Sequence, residues 1–363
     1  MSGKGREVRE GVALGRPPRA VALVSGGLDS MLAARTILDQ GITVEGINFF
    51  TGFCVEGHTH AIRRRGGSSR PAPRNNALWV ADKLGIKLHL VEVVEEYKSV
   101  VLNPRHGYGR NLNPCLDCKG FMVRKAHEWM LENDFDFIIT GEVVGQRPMS
   151  QRRDTMPVIA EESGAGDRLL RPLSAQGLPE TFPERAGWVD RSRLHGFHGR
   201  TRKPQMALAA ELGLDEYAQP AGGCCFLTDQ RYSVKLQDLW RSRGRRDYEL
   251  DDIMLLKVGR HLRPKPHFKL IIGREDGENR FLRGYRHLYP WLRTVSHPGP
   301  ITLFDGPVLE PVDLELAARI TARFSQGRSD RAVALEVGRP GEEPSTLSVA
   351  PLSPGEVQPE WYL

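Results

Sequence analysis

Short apolar runs alternate with segments of helical periodicity between residues 19 and 140. Such runs predict buried strands, and apolar positions spaced three to four residues apart predict helices. The predicted strands are 20–24, 42–50, 86–93 and 135–140, and the predicted helices are 29–40, 75–84 and 121–132. Strands that alternate with helices form parallel sheets. We therefore predict an α/β fold whose Rossmann-like parallel sheet carries helices on both faces.

A smaller α/β unit is predicted after a charged break at residues 240–246. Its predicted strands are 253–263, 268–274, 301–304 and 332–337, and its predicted helices are 278–288 and 314–324. The pattern divides the chain into a flexible arm (1–18), a first domain (19–176), an extension of that domain (177–238), a second domain (239–340) and a tail (341–363).

The turn between the first predicted strand and helix reads Ser25-Gly26-Gly27-Leu28-Asp29-Ser30. Two glycines there let backbone N–H groups line a concavity in front of the positive end of the helix, which suits a phosphate or pyrophosphate. Ser25 and Ser30 can bond phosphate oxygens, and Asp29 can hold a metal ion on them. The simpler interpretation is an ordinary strand–turn–helix in which the Ser and Asp side chains only cap the helix. The turn is not a Walker A loop, because the Gly-Lys-Ser/Thr ending is absent.

Cysteines form the second candidate site. Cys115 and Cys118 have the spacing of a chelating or redox pair, and Cys224 follows two glycines. Three converging cysteines leave one iron of a [4Fe–4S] cluster open to a group such as hydrosulfide. One alternative is a four-cysteine site, with Cys225 or Cys54 as fourth ligand, that holds zinc or a closed cluster. Another is that some of these cysteines are simply buried.

Two further stretches lie at predicted strand ends, where parallel sheets bind nucleotides. Gly141 and Gln146 follow the fourth strand, and Phe49 and Phe50 end the second. We predict that Gly141, Gln146 and Phe49 contact the nucleotide. One of the two phenylalanines is expected to belong to the core.

Composition narrows the class of protein. The chain has 363 residues, a net charge of +6 and five cysteines, and its pI is about 9.1. A mild positive charge fits a polyanionic partner. No apolar stretch is long enough for a membrane span, and residues 1–18 do not resemble a secretory signal. The cysteine pattern is unlike a secreted disulfide framework, so we expect a cytoplasmic protein.

Arginines cluster at residues 63–65, which favours a nucleic-acid backbone. Basic and aromatic residues interleave at 180–205, a combination that can grip phosphates and stack bases. We predict RNA contacts for a set of basic residues: Arg63, Arg64, Arg65, Arg147, Arg200, Arg202, Lys203 and Arg260. Ordinary solvated surface is the alternative for each of them.

Five motifs occur in a specific order: Ser-Gly-Gly-Leu-Asp-Ser (25–30), Asn-Pro-Cys-Leu-Asp-Cys-Lys (113–119), Thr-Gly-Glu-Val-Val-Gly-Gln (140–146), Arg-Pro-Leu (171–173) and Gly-Gly-Cys-Cys-Phe-Leu-Thr (222–228). The first resembles the PP-loop of ATP pyrophosphatases. Together they resemble the iron–sulfur-dependent tRNA thiolation enzymes, which comprise 4-thiouridine synthetases and 2-thiouridylases. The resemblance covers about residues 19–235. Val-Gly-Arg-His (258–261) and Ile-Gly-Arg-Glu-Asp-Gly-Glu-Asn (272–279) resemble, less specifically, an NFACT-type RNA-binding domain.

The resemblance implies a function. Ser25, Gly26, Gly27, Asp29 and Ser30 would bind the phosphates of Mg²⁺-ATP. The catalytic set would be Asp29, Cys115, Cys118 and Cys224, with the three cysteines as ligands of a [4Fe–4S] cluster. The enzyme would adenylate a uridine carbonyl of tRNA and replace its oxygen by sulfur, from sulfide or an unidentified donor. The Gly-Glu-x-x-Gly-Gln stretch favours 4-thiouridine over 2-thiouridine.

Two other functions stay open at this point. A cluster-dependent desulfidase would remove sulfur from thiouracil or thiolated tRNA, but it would not need ATP. A non-catalytic RNA-binding protein with a zinc site is the other possibility. The sequence leaves the oligomeric state open, with a homodimer as one option.

Overall fold

The computed structural model describes residues 15–55, 74–217, 224–307 and 310–363. Contacts divide the chain into two units. Of the described residues, the first unit takes in 15–51, 75–109 and 114–217, and the second takes in 52–55, 74, 110–113, 224–307 and 310–363. Arg63, Arg64 and Arg65 lie outside the described residues.

The first unit is built on a five-stranded sheet. Its strands are β1 (Arg19–Leu23), β2 (Thr43–Phe50), β3 (Leu88–Glu92), β4 (Phe137–Ile139) and β5 (Leu169–Leu170). All neighbours pair in parallel, in the order β3-β2-β1-β4-β5. The order changes direction at β1, so the carboxyl ends of β1 and β4 flank the point where ligands bind in such sheets. The predicted Rossmann-like sheet is confirmed.

The described part of the unit contains seven α-helices: α1 (Leu28–Leu38), α2 (Asn76–Leu84), α3 (Val94–Leu102), α4 (Cys115–Glu132), α5 (Thr155–Glu162), α6 (Phe182–Arg185) and α7 (Lys203–Glu211). The first five lie between strands, and α6 and α7 follow β5. Three-residue 3₁₀ helices lie at Gly166–Arg168, Ala175–Gly177 and Arg191–Arg193. Leu32 and Ile37 of α1 are fully buried in one cluster with Phe137 of β4. This core fixes the start of α1 against the end of the sheet.

The second unit contains a six-stranded antiparallel sheet. Its strands are β6 (Arg260–Lys265), β7 (Phe268–Ile272), β8 (Trp291–Thr294), β9 (Ile301–Asp305), β10 (Val333–Gly338) and β11 (Ser345–Val349), in the order β11-β10-β8-β9-β7-β6. The helices are α8 (Gln230–Arg243), α9 (Leu250–Leu255), α10 (Asp276–Arg283) and α11 (Pro311–Arg323). Further 3₁₀ helices lie at Phe226–Thr228, Pro354–Glu356 and Pro359–Trp361. Phe268 and Phe304 stack in its core with centroids 4.7 Å apart.

Some predicted elements differ from the structure. Residues 253–255, predicted as a strand, end α9, which starts with a capping box between Glu249 and Asp252. The predicted helix 121–132 begins earlier, at Cys115. Residues 341–363, set apart as a tail, include β11. Within the described residues, no helix combines the length and apolar character that crossing a bilayer requires.

Candidate active site

The Ser-Gly-Gly turn joins β1 to α1 as predicted. Gly26 has a positive φ of 79° and lies against the start of α2, where an added Cβ would be 2.7 Å from the nitrogen of Ala77. Two helix N-termini therefore flank the loop, and their first-turn N–H groups have no partners within the helices. Ser30 Oγ donates to the carbonyl of Gly27 at 2.8 Å and lies 3.3 Å from Ser25 Oγ.

Asn48 of β2 anchors the other end of this loop. Its Nδ2 donates to the carbonyl of Val24, the residue before Ser25, at 2.7 Å. The Val24 N–H donates in turn to the carbonyl of Ile47 at 2.9 Å. Sequence reasoning missed Asn48, because no motif separates it from the apolar strand around it.

Asp29 is held by a chain of two amides. Gln146 Nε2 donates to Asp29 Oδ2 at 2.6 Å, and Gln205 Nε2 donates to Gln146 Oε1 at 2.9 Å. Gln205 is fully buried, so this chain ties α7 to the loop. Asp29 Oδ1 is buried and accepts no hydrogen bond within the described residues. Arg202 lies nearby, with its Nη2 3.7 Å from Asp29 Oδ2.

Gly141, in the motif that follows β4, lies against the Ser-Gly-Gly loop. A Cβ on Gly141 would lie 2.5 Å from the carbonyl carbon and oxygen of Asp29 and from the nitrogen of Ser30. These are backbone atoms, so no side-chain rotation can relieve the overlap. The residue is required for close approach of two backbone segments, which explains a glycine at this place.

Gly141→Ala is expected to push the loop away from β4 and to destabilise the protein by about 1–3 kcal/mol. Chemical unfolding measures the loss. Gly120→Ala is the matched control, since nothing lies within 4 Å of its added Cβ in α4. An unfolding free energy in Gly141→Ala equal to that of the wild type would contradict this role.

A buried ionic network joins three of the motifs. Glu142 is 1% exposed, and its Oε2 accepts hydrogen bonds from Thr140 Oγ1 at 2.8 Å and Arg171 Nε at 3.1 Å. Its Oε1 lies 3.9 Å from Nζ of Lys119. Burial alone would raise the pKa of Glu142, but Lys119 and Arg171 outweigh it and hold the pKa below its ordinary value. The network fixes α4 and the segments after β4 and β5 together.

Cys115 and Cys118 lie in the first turn of α4, on one face because they are three residues apart. Cys115 Sγ lies 3.4 Å from Ser150 Oγ. Asp117 between them accepts hydrogen bonds from the backbone nitrogens of Arg105 and His106, at 2.8 and 3.1 Å, so it holds a neighbouring loop.

The other cysteines, Cys54, Cys224 and Cys225, belong to the second unit. None of the five cysteines forms a disulfide. Over the described ranges, no group of three or more His, Cys, Asp or Glu side chains is arranged to hold a metal ion.

The remaining predicted site residues have varied environments. Phe49 is 8% exposed and therefore in the core, whereas Phe50 is 37% exposed. Arg200 and Lys203 are exposed, and Arg147 is half-buried. Arg260 in β6 lies over the ring of Phe324, 5.0 Å from its centroid.

Two family models match separate parts of the chain. The model of the family described as "tRNA methyl transferase HUP domain" matches residues 18–161, and that of "NFACT protein RNA binding domain" matches residues 259–362. The two matches confirm the resemblance to PP-loop tRNA-modification enzymes with a C-terminal NFACT domain.

Curated relatives extend the likeness over most of the chain. The "tRNA-specific 2-thiouridylase MnmA" of Pseudomonas putida (strain GB-1) is 24% identical, over 89% of this chain and 86% of its own length. The "tRNA-specific 2-thiouridylase MnmA 2" of Caldanaerobacter subterraneus subsp. tengcongensis is 30% identical, over 61% of this chain and 58% of its own. Among solved structures, a "4-thiouridine synthetase - RNA complex with bound ATP" has 18% identity and a TM-score of 0.33, covering 54% of this chain and 52% of its own.

Proposed function

We propose that the chain is an ATP-dependent tRNA uridine sulfurtransferase. The observation that carries the proposal is Asp29, whose carboxylate is oriented by Gln146 inside a glycine loop and keeps one buried oxygen without a hydrogen bond. A buried carboxylate oxygen without a donor costs free energy unless a ligand satisfies it. The names of the two curated relatives, both tRNA-specific 2-thiouridylases, supply the substrate class.

The loop fits the phosphates of ATP. Backbone N–H groups at the start of α1 and the hydroxyls of Ser25 and Ser30 can donate to phosphate oxygens. Asp29 Oδ1 fits a Mg²⁺ ion, a cation that prefers carboxylate and phosphate oxygens, and the ion would neutralise phosphate charge. Arg202, predicted to contact RNA, lies close enough to Asp29 to serve the phosphates instead.

The chemistry has two steps. A carbonyl oxygen of the uracil attacks the α-phosphorus of ATP, and pyrophosphate leaves. The adenylated carbon then accepts a sulfur nucleophile, and AMP departs as a far better leaving group than the original oxygen. The loop and Arg202 contribute by holding the triphosphate and stabilising the charge that develops on the pyrophosphate. The target base is flipped from its stack to reach the phosphates.

The sulfur-handling group is a finer part of the proposal. Cys115 and Cys118 offer two thiolates from one helical turn, which suits an iron–sulfur cluster, and Cys224 is the proposed third ligand. When bound, a [4Fe–4S] cluster with an open iron would supply a site for hydrosulfide. The chemistry of the cysteine donors supports this cluster. Their geometry does not, because no group of three ligand side chains is assembled among the described residues.

RNA binding is assigned to the second unit and to the basic residues around α7. The NFACT match and the exposed Arg200 and Lys203 support it. For the thiolated position, the Gly-Glu-x-x-Gly-Gln stretch favours the 4-carbonyl, whereas the names of the relatives favour the 2-carbonyl.

The deciding experiment is anaerobic incubation of the iron- and sulfide-reconstituted protein with unmodified tRNA, Mg²⁺-ATP and sulfide. Nucleosides are then separated and identified by mass spectrometry against 2-thiouridine and 4-thiouridine standards. We expect a thiolated uridine that depends on ATP. Retention time of the product decides between the two carbonyls.

Cys118→Ala tests the cluster in the same assay. We expect it to abolish the product and to lower bound iron, with Cys54→Ala as the control that keeps both. A thiolated product at the wild-type rate from iron-free Cys118→Ala would remove the cluster from the proposal. Sulfide release from thiolated tRNA without ATP would replace a sulfurtransferase by a desulfidase.

A further inference from the structure

Two short segments of the second unit pair as a minimal antiparallel ladder. The Phe226 N–H donates to the carbonyl of Phe53 at 2.9 Å, and the Val55 N–H donates to the carbonyl of Cys224 at 3.3 Å. Cys54 and Cys225 are directly opposite each other in this bridge. Sequence alone cannot predict the pairing, because the two cysteines are far apart in the chain.

The hydrogen-bond pattern defines which kind of pair this is. The bonds belong to the residues on either side of Cys54 and Cys225, so the two cysteines form a non-hydrogen-bonded pair. Cα atoms in such pairs are about 4.5 Å apart and their side chains lie on the same face. This separation is within the range that a disulfide spans.

The pairing also selects between adjacent cysteines. Cys225 has an extended backbone, with φ −143° and ψ 158°. Successive side chains of an extended segment point to opposite faces, so Cys224 faces away from Cys54. A bridge from Cys54 therefore goes to Cys225.

Both thiols are accessible in the structure. Cys54 and Cys225 are both partly exposed, so a small reagent can reach them. Cys225 Sγ lies 3.8 Å from Oδ1 of Asn113, which orients the thiol.

We propose that Cys54 and Cys225 are a redox modification site that closes to a reversible disulfide. The oxidant is a small disulfide of the glutathione class. One thiolate attacks it, forms a mixed disulfide and releases one small thiolate. The second cysteine, after losing its proton, attacks the protein sulfur of the mixed disulfide and releases the second small thiolate. Two protein thiols are oxidised and one small disulfide is reduced to two thiols.

The test is a thiol map of the full-length chain. Reduced protein is incubated with oxidised glutathione, remaining thiols are alkylated, and a non-reducing digest is analysed by mass spectrometry. We expect a cross-linked peptide pair containing Cys54 and Cys225, three alkylated cysteines instead of five, and full reversal by dithiothreitol. Cys224→Ser keeps the cross-link, and Cys54→Ser abolishes it.

The wild-type map decides the matter even if a variant folds poorly. Five alkylated cysteines after oxidation, or a cross-link from Cys54 or Cys225 to any other cysteine, would overturn the proposal. Because the readout is covalent and needs neither ATP nor tRNA, its outcome is independent of the proposed thiolation activity.

Discussion

Asp29→Asn is expected to lower the rate of uridine thiolation by about 100-fold or more, as the loss of one group that supports transition-state charge does elsewhere. The variant amide can still accept the hydrogen bond of Gln146 through its oxygen. Its NH2 group then occupies the place of Oδ1, and an NH2 group cannot coordinate Mg²⁺. Fold and loop geometry are preserved while the cation site is lost.

The measurement is the initial rate of thiolated-nucleoside formation, together with the Mg²⁺ dependence of ATP binding. Asp39→Asn is the matched control. Asp39 caps the end of the same helix and forms an exposed ion pair with Arg35, so its loss is expected to change neither quantity. A wild-type rate in Asp29→Asn would rule out this carboxylate as the metal-side group.

Glu142→Ala is expected to destabilise the protein by about 3–5 kcal/mol, the range for removing one partner of a buried ion pair. Arg171 is 7% exposed and would keep an uncompensated charge in the interior. Chemical unfolding measures the loss. Asp154→Ala removes the partner of Arg152 in an exposed ion pair and is expected to cost less than about 1 kcal/mol. Equal losses of unfolding free energy in the two variants would show that the buried Glu142 network stabilises the protein no more than an exposed ion pair does.

The same network predicts a pH dependence. The pKa of Glu142 is lower in the folded protein than its ordinary value of 4.5, so the unfolded chain binds this proton more tightly. The stabilisation is therefore complete above that ordinary value and is lost as the pH falls through the folded-state pKa. The difference in unfolding free energy between the wild type and Glu142→Gln should shrink on acidification. A constant difference across that range would contradict the assignment.

The sequence predicted the parallel sheet well, because buried strands and helices have different periods over residues 19–140. Short apolar runs were ambiguous. Ile253-Met254-Leu255 suits a strand or a helix equally, and the capping box of Glu249 and Asp252 decides for the helix. Helix α4 was predicted to begin too late, because its first turn contains Cys115 and Cys118, which were interpreted as a chelating or redox pair.

The sequence indicated which residues lie at the site better than it indicated which residues contact one another there. The loop, Gly141 and Gln146 are brought together, as their positions at the ends of predicted parallel strands indicated. The partnership of Lys119 with Glu142, like the hydrogen bond from Asn48, depends on tertiary packing that links distant parts of the chain. Local propensity carries no information about such pairs.

Asn48 affects the entropy of the proposed nucleotide binding. A trans peptide plane carries its C=O and N–H in opposite directions. The bond from Asn48 fixes the carbonyl of Val24 toward β2, so the N–H of Ser25 is aimed away from β2 before any ligand arrives. That amide therefore loses its rotational entropy during folding rather than during binding. We therefore expect a higher affinity for the proposed triphosphate ligand, since less order remains to be created in the complex.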